Sequence, residues 1–355
     1  MKPWVSWTLN GLGLGLVAVL TANAGWLAPA PKGYMKLVAE RGTAQQFDPK
    51  RVAAGGCSAT RIEKPVHDFI ENTINGLQKA DQLGANVVQV DVALTGDGHF
   101  VLFSDAALDC RTEGQGAVRQ TALTDIQKLD PGAGYSADGG KTFPLNGLQT
   151  ARIPVLETAL VSLPSTPILF KLASRDPADG AKLAAALKSA GRDVVKRGDG
   201  FYADEAVLAP LRAAFPKVWA FSPESARECA SRYRLIGWLT MVPDACKGGT
   251  LFVPLDAKWT FPGWPDRLQA RMKAANVRIV LTAPGGDSNA PMGLDLPEQM
   301  AEIPPSYTGY VWVRDIWTMG PTLHPATRRR SNEAEAKLDE ALAARRKARG
   351  LAEPK

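Results

Sequence analysis

Short apolar runs recur along the chain, separated by stretches with helical spacing of apolar residues. Runs at 36–40, 87–92, 100–103, 168–172, 201–203, 218–221, 251–255, 278–282 and 310–314 read as strands. Glu71-Asn72-Thr73 opens a helix over 74–83, and Gly84 stops it. Further helices are predicted at 178–190, 205–214, 223–233 and 265–275. Thr95-Gly-Asp-Gly98 is a tight turn between two of the runs. Strands alternating with helices predict a parallel α/β sheet, and this many units predict a closed barrel. Nine strand candidates are one more than eight, so one is misread or lies outside the barrel.

The two ends break this pattern. Leu9–Leu27 carries no charge and is mostly apolar. Residues 1–30 have two competing readings. Gly11–Ala22 followed by Ala22-Asn23-Ala24 fits a signal peptide with a small-residue cleavage site. Alternatively, Trp4–Leu27 forms a single-span anchor, with Trp4 and Trp7 at one interface and Trp26 at the other. A buried core helix is a third reading, disfavoured because no amphipathic stripe is visible. Leu27-Ala-Pro-Ala-Pro-Lys-Gly33 then forms a short stiff linker. The barrel domain is expected over 34–322, and a charged helical tail, solvated or frayed, over 323–355, with anionic lipid as a minor alternative partner.

Composition narrows the function class. The 355 residues carry a net charge of +6, and from His324 onward the basic residues exceed the acidic ones by four. The rest of the chain is therefore near +2, which does not suit a nucleic-acid channel. Three histidines exclude a histidine-rich metal site. The four cysteines are too few for a disulfide-dense scaffold. An even number in an exported protein suggests two bridges. Cys57–Cys110 and Cys229–Cys246 is the preferred of three pairings; the signal-peptide and anchor readings of residues 1–30 place the body on the outer side of a cell envelope, periplasmic or extracytoplasmic, and the cysteines agree.

A series of short motifs carries the chemistry. Val38-Ala-Glu-Arg-Gly42, Glu71-Asn-Thr73, Gln89-Val-Asp91, Thr95-Gly-Asp-Gly98 and Ser104-Asp105 appear in order. Leu108-Asp-Cys-Arg-Thr112, Gly114-Gln-Gly116, Leu129-Asp-Pro-Gly132 and Ile153-Pro-Val-Leu-Glu157 follow. From about residue 36 to 172 this resembles the glycerophosphodiester phosphodiesterase family. The resemblance implies a TIM-type (β/α)8 barrel of the PLC-like phosphodiesterase type, with its site at the C-terminal ends of the strands. It also implies a small phosphodiester or phospholipid-headgroup ligand, gripped through a divalent cation, Ca²⁺ or Mg²⁺, with two histidines as acid and base.

The chain departs from that pattern where the chemistry is concentrated. The histidine of the family's His-Arg-Gly motif corresponds to Glu40, and that of its His-Asp motif to Ser104. The metal pair Glu-x-Asp corresponds to Gln89-Val-Asp91, and the acid before the fourth-strand lysine to Leu169. Arg41, Asp91, Asp105 and Lys171 match, as do Glu71 and Asn72. The resemblance thus assigns Arg41 and Lys171 to the phosphate, and Gln89 with Asp91 to a weakened metal site that Glu40 or Glu71 could join. Glu40 and Ser104 stand at the acid–base positions. Glutamate titrates near 4.3 and serine has no useful proton affinity, so neither replaces an imidazole at neutral pH.

Each of these residues also has an ordinary structural role available. Asp91 could cap a turn, Arg41-Gly42 could be a strand exit, and Glu71 could favour a helix start through the dipole. Lys171 in an apolar strand must face the barrel mouth or pair with an acid. His67, His99 and His324 match no family position, and Trp259, Trp264, Trp312 and Trp317 read as packing or rim residues. Two functions are expected: a phosphoric diester hydrolase of altered activity, or a non-catalytic phosphate-ester or headgroup binder of the envelope. A purely structural envelope protein is a third.

Overall fold

The computed structural model describes residues 3–49, 52, 56–148, 152–286 and 291–352; side chains at 3–9 and at Trp26 are not described. The interfacial roles read for Trp4, Trp7 and Trp26 therefore lie outside the described residues. The chain divides into two compact units, one of 37–222, 293–300 and 313–355, the other of 1–36, 223–292 and 301–312.

The larger unit carries β1 (Lys36–Ala39), β2 (Val87–Leu94), β3 (Phe100–Leu102), β4 (Ile168–Leu172), β5 (Gly200–Tyr202) and β6 (Trp219–Phe221). The smaller carries β7 (Thr250–Pro254), β8 (Arg278–Thr282) and β9 (Tyr310–Val313). Strand order is β6-β5-β4-β2-β1 in the larger unit and β9-β8-β7 in the smaller, each in keeping with a (β/α)8 fold. The pairings β1–β2, β2–β4, β4–β5 and β5–β6, and β7–β8 and β8–β9, are parallel. The ninth strand candidate is β3, which pairs antiparallel with β2 and stands off the eight-strand path. Its turn closes through Thr95 N–H donating to the His99 carbonyl at 2.8 Å, with Gly98 at φ +88°.

The helices begin where short polar side chains satisfy exposed backbone N–H groups. Thr73 accepts from Gly76 N–H at the start of Ile74–Gln82, and Asp176, followed by Pro177, caps Pro177–Ser189. Asp204 caps Glu205–Ala214 in the same way. The strands are buried along both faces, as parallel barrel strands must be; β2 reads buried at all but one position.

Both expected disulfides form, Cys57–Cys110 in the larger unit and Cys229–Cys246 in the smaller. The first packs against Ala59, Ile62, Ile70, Tyr135 and Leu145.

The C-terminal tail departs from its expected solvated or frayed state. Its helix, Asn332–Ala348, buries Leu338 and Leu342 against Leu296, beside Val66 and Trp317. Arg345, only 4% exposed, pairs with Asp315 at 2.9 Å and Glu63 at 2.8 Å. Arg349 pairs with Asp295 at 2.5 Å and Arg346 with Glu298 at 2.9 Å. The basic residues that read as a solvated face are the docking contacts, because their acidic partners are distant in sequence.

In the smaller unit, Pro3–Asn23 is a helix. Among the described residues no helix is long and apolar enough to cross a membrane. The segment read as a cleavage site is hydrogen-bonded to its unit: Asn23 Nδ2 donates to the Trp238 carbonyl at 2.8 Å, and Arg271 donates to Asn23 Oδ1 and to the Ala22 carbonyl, both at 2.9 Å.

Candidate phosphate-ester site

The larger unit gathers the site residues at the C-terminal ends of its strands. Glu40 and Arg41 follow β1, Gln89 and Asp91 lie on β2, Lys171 on β4, and Ser104 and Asp105 follow β3. Glu71 and Asn72 precede the helix Ile74–Gln82. Arg41 and Asn72 both take left-handed backbone, φ +59° and +56°, a conformation that ordinary side chains adopt rarely and that clusters at binding sites. Asn72 N–H donates to the Arg41 carbonyl at 3.0 Å, locking the two turns together.

Asp91 is the centre of the cluster. The β2–β4 register sets it opposite Lys171, whose Nζ lies 3.5 Å from Oδ1. Gln89 Nε2 donates to Oδ1 at 3.2 Å, and Asn72 Nδ2 to Oδ2 at 3.3 Å. The Ser104 hydroxyl also bonds Asp91 and accepts from Asn72 Nδ2 at 2.8 Å. Asp91 N–H donates to Asn72 Oδ1 at 3.0 Å. Burial opposes the charge on Asp91, but Lys171, Arg41 and the hydrogen bonds outweigh it and hold the carboxyl below its ordinary range. Ser104 is thus a link in a hydrogen-bond chain.

A second cluster lies behind the first. Glu71 accepts from Arg111 Nη1 at 2.6 Å and from Arg41 Nη1 at 3.3 Å. Arg111 also pairs with Asp105 at 2.8 Å and donates to the Tyr135 hydroxyl at 2.8 Å and Ser58 Oγ at 3.0 Å. Burial works against the Glu71 charge, yet Arg111 and Arg41 keep its pKa below the usual carboxylate value. Burial likewise opposes the Arg41 charge, and Glu71, Glu40 and Asp91 more than restore it. Glu40 faces Arg41 Nη2 at 3.3 Å and Arg314 Nε at 4.0 Å.

The expected metal ligands can be tested against this arrangement. A hard cation needs several free anionic oxygens. Both Asp91 oxygens already accept hydrogen bonds, and Gln89 Oε1 accepts from Arg41 N–H at 3.0 Å. Glu71 lies between two guanidiniums, and Glu40 faces two. Among the described residues no three His, Cys, Asp or Glu side chains group as a metal site. The side chains present do not fit Ca²⁺ or Mg²⁺, and no step is assigned to one.

An open cleft of about 460 Å³ lies over the first cluster, lined among others by Asp91, Ser104, Asp105, Arg119, Lys171 and Arg175. Arg119 is tied to Asp179 at 2.5 Å. Lys171 is 44% exposed, so its ammonium can meet an anion entering the cleft while still pairing with Asp91. Arg41, with 11% of its side chain exposed, is the more enclosed of the two expected phosphate anchors. Arg111, Tyr135 and Arg314 complete the charge network and were not singled out from the sequence. Arg111 sits inside a quoted motif, but its partner Glu71 lies 40 residues away.

Residues 56–198 match the model of the glycerophosphoryl diester phosphodiesterase family. That segment, 143 of the 355 residues, is similar to this family. The chain is 45% identical over 62 residues to a glycerophosphodiester phosphodiesterase of Caldanaerobacter subterraneus, covering 18% of this chain and 26% of that one. It is 34% identical over 91 residues to human glycerophosphodiester phosphodiesterase 1, covering 26% of this chain and 27% of that one. The matched segments thus span about a quarter of these curated relatives' length. Two solved structures share the fold. One is the glycerophosphoryl diester phosphodiesterase domain of a Mycobacterium tuberculosis protein, with TM-score 0.58, 16% identity, and coverage of 82% of this chain and 100% of that one. The other is an Oleispira antarctica phosphodiesterase in complex with the product sn-glycerol-3-phosphate, with TM-score 0.54, 18% identity, and coverage of 81% and 96%. The family's fold is the TIM-type barrel expected from the alternation of strands and helices.

Proposed function

We propose that this protein binds a phosphate ester of the glycerophosphodiester or headgroup type in the cleft beside Lys171, without hydrolysing it by the family's two-imidazole route. The observation that carries this reading is the state of Asp91. Its oxygens are occupied by Gln89, Asn72, Ser104 and Lys171, so it is a structural counter-ion and not a vacant ligand. An incoming phosphate meets a half-exposed ammonium at the cleft wall and, among the described lining residues, no imidazole to act as acid or base near neutral pH. Glu40 and Ser104, at the positions where the family resemblance places histidines, are engaged in an ion pair and a hydrogen-bond chain.

Phosphodiester hydrolysis is the second reading, favoured by the family match. Two disulfides support an oxidising, exported setting for either activity.

One pair of measurements decides between them. Calorimetric titration with glycerophosphocholine and with sn-glycerol 3-phosphate is expected to show binding that drops about tenfold or more in Lys171→Ala, as loss of a charge-assisted contact predicts. Absence of binding, or binding indifferent to Lys171, overturns the proposal. Release of glycerol phosphate with Ca²⁺ or Mg²⁺ that disappears in Asp91→Ala would establish the second reading instead.

A further inference from the structure

The smaller unit holds a cleft of its own, of about 440 Å³, lined among others by Lys32, Lys36, Lys273 and Arg278. None of its described lining residues is an aspartate or a glutamate. Lys36 and Arg278 begin β1 and β8, and both lie over the Tyr310 ring, at 5.2 Å and 5.6 Å. Lys32 and Lys273 are exposed. Among the described residues no carboxylate pairs with Lys32, Lys36 or Lys273. The walls are fixed in place. Gln269, on the helix Asp266–Ala274, accepts from Thr308 N–H at 2.7 Å and donates to the Ser306 carbonyl at 3.1 Å, which ties that helix to the segment before β9. Four cations gathered in a preformed cleft without an acid concentrate anions there.

The same unit shows which anions. Its helix Pro3–Asn23 leaves Leu12, Leu14, Leu16, Val17 and Leu20 more than half exposed. The end of that helix is fastened beside the turn Gly237–Leu239: Asn23 bonds the Trp238 carbonyl, and Arg271 Nη1 donates to Asn23 Oδ1 and to the Gly237 carbonyl at 3.1 Å. Trp238, Leu239 and Met241 are exposed at that turn. An apolar surface of this extent marks a contact with lipid or protein. Arg271, which fastens the apolar helix, and Lys273, which lines the cleft, stand on one helix, so patch and cleft share one support. Tryptophan and basic side chains beside an apolar surface are the composition of a membrane interface. We propose that the basic cleft seats the phosphate headgroups of anionic phospholipids when the apolar helix and the Trp238 turn meet a bilayer. The apolar residues supply attraction to any bilayer, and the lysines supply the preference for a negative one. The inference rests on the smaller unit alone and needs neither the Lys171 cleft nor hydrolysis.

Co-sedimentation of the full chain with vesicles tests this, using phosphatidylcholine alone and equal parts of phosphatidylcholine and phosphatidylglycerol. The wild type is expected to prefer the anionic vesicles. Lys32→Gln/Lys273→Gln removes two exposed charges and no ion pair. It is expected to cut partition onto the anionic vesicles about twentyfold, about fivefold per lysine, and to leave partition onto neutral vesicles unchanged. Lys182→Gln/Lys196→Gln, two exposed lysines of the larger unit, controls for net charge and is expected to keep the preference. Trp238→Ser/Leu239→Ser is expected to weaken partition onto both kinds of vesicle. Equal wild-type partition onto the two vesicles, a preference that survives Lys32→Gln/Lys273→Gln, or an equal loss in the control pair overturns the inference. Partition indifferent to Trp238→Ser/Leu239→Ser takes the apolar patch out of the contact and overturns the joint surface. Thermal stabilisation by inorganic phosphate that vanishes in Lys32→Gln/Lys273→Gln, without any vesicle preference, would make the cleft a site for a soluble anion and reject the membrane.

Discussion

Asp91 and Lys171 are register partners across β2 and β4, with Nζ 3.5 Å from Oδ1. Partnered residues in parallel strands point to the same face, so the pairing is set by the sheet and not by chance contact. The lysine supplies the positive charge that a carboxylate at this depth requires, and three uncharged side chains supply the hydrogen bonds.

This pair yields the first prediction. Lys171→Met leaves Asp91 with its hydrogen bonds but without an adjacent ammonium. Because Lys171 is 44% exposed, its loss is expected to cost about 1–2 kcal/mol, below the 3–5 kcal/mol of a fully buried pair. Added Ca²⁺ or Mg²⁺, or a chelator, is expected to leave the wild-type denaturation midpoint unmoved. A cation held at micromolar affinity would add roughly 4 kcal/mol at millimolar concentration, which urea titration would detect at once.

The Glu71–Arg111 pair behaves differently because both side chains are buried, 4% and 5% exposed. Glu71→Gln strips two arginines of their shared carboxylate. A loss of about 3–5 kcal/mol is expected from equilibrium denaturation. Tyr135→Phe removes one hydrogen bond to Arg111, and about 1 kcal/mol is the expected effect. A Tyr135 effect as large as that of Glu71 would mean that the hydroxyl, not the ion pair, holds the cluster.

Much of this was readable in the chain. Apolar runs bounded by Asp, Thr and Gly placed every strand within about two residues, because local burial and capping decide those boundaries. The count exceeded eight by one without saying which strand was surplus; the structure identifies it as β3, which the short Thr95–Gly98 turn returns antiparallel to β2. What the pattern could not reveal was convergence. Arg314 ends an apolar strand and reads as its exit, yet its guanidinium faces Glu40 across 274 positions of sequence. The tail shows the same limit: its local acids pair with Arg328, Arg330 and Lys337, whereas the partners of Arg345 and Arg349, Glu63, Asp295 and Asp315, come from three separate segments.

The tail therefore gives a sharp test. Arg345 is the hub linking the last helix to Asp315, which also caps the helix Ile316–Leu323 by accepting from Thr318 N–H. Arg345→Ala leaves Asp315, 2% exposed, without its cation. A loss of about 3–5 kcal/mol is expected, and Arg345→Lys should restore only part of it, since a point charge cannot bridge Glu63 and Asp315 together. An unchanged stability in Arg345→Ala would return the tail to the solvated helix that its composition suggests.

Replacing Cys57 and Cys110 by serine opens a loop spanning 53 positions. The chain-entropy relation puts that cost at about 4 kcal/mol. It is measured as the stability difference between the double variant and the oxidised wild type. Equal stability would show that the packing of Ala59, Ile70 and Tyr135 suffices to close this segment.

His67 provides the pH dependence. Its ring lies 5.0 Å from that of Trp317, and Nδ1 accepts from Phe69 N–H at 3.2 Å, which requires the neutral ring. Burial pushes its pKa down to about 4; Asp315 and Asp68 oppose that shift and Arg330 reinforces it. The unfolded chain takes up this proton near pH 6.5, well before the folded one does. The folded state therefore binds fewer protons between about pH 6.5 and 4, and stability must fall as pH falls through that window and level off below it. The full shift corresponds to about 3 kcal/mol, an upper bound because the ring is partly exposed. Glu71 and Asp91, both held below their ordinary values, lose their contributions at lower pH and so do not mimic this step. His67→Gln keeps an acceptor without the titration. Urea midpoints measured from pH 7.5 to 4.5 are expected to slope downward in the wild type and to flatten in His67→Gln. Parallel slopes in the two proteins would assign the acid sensitivity to carboxylates and not to His67.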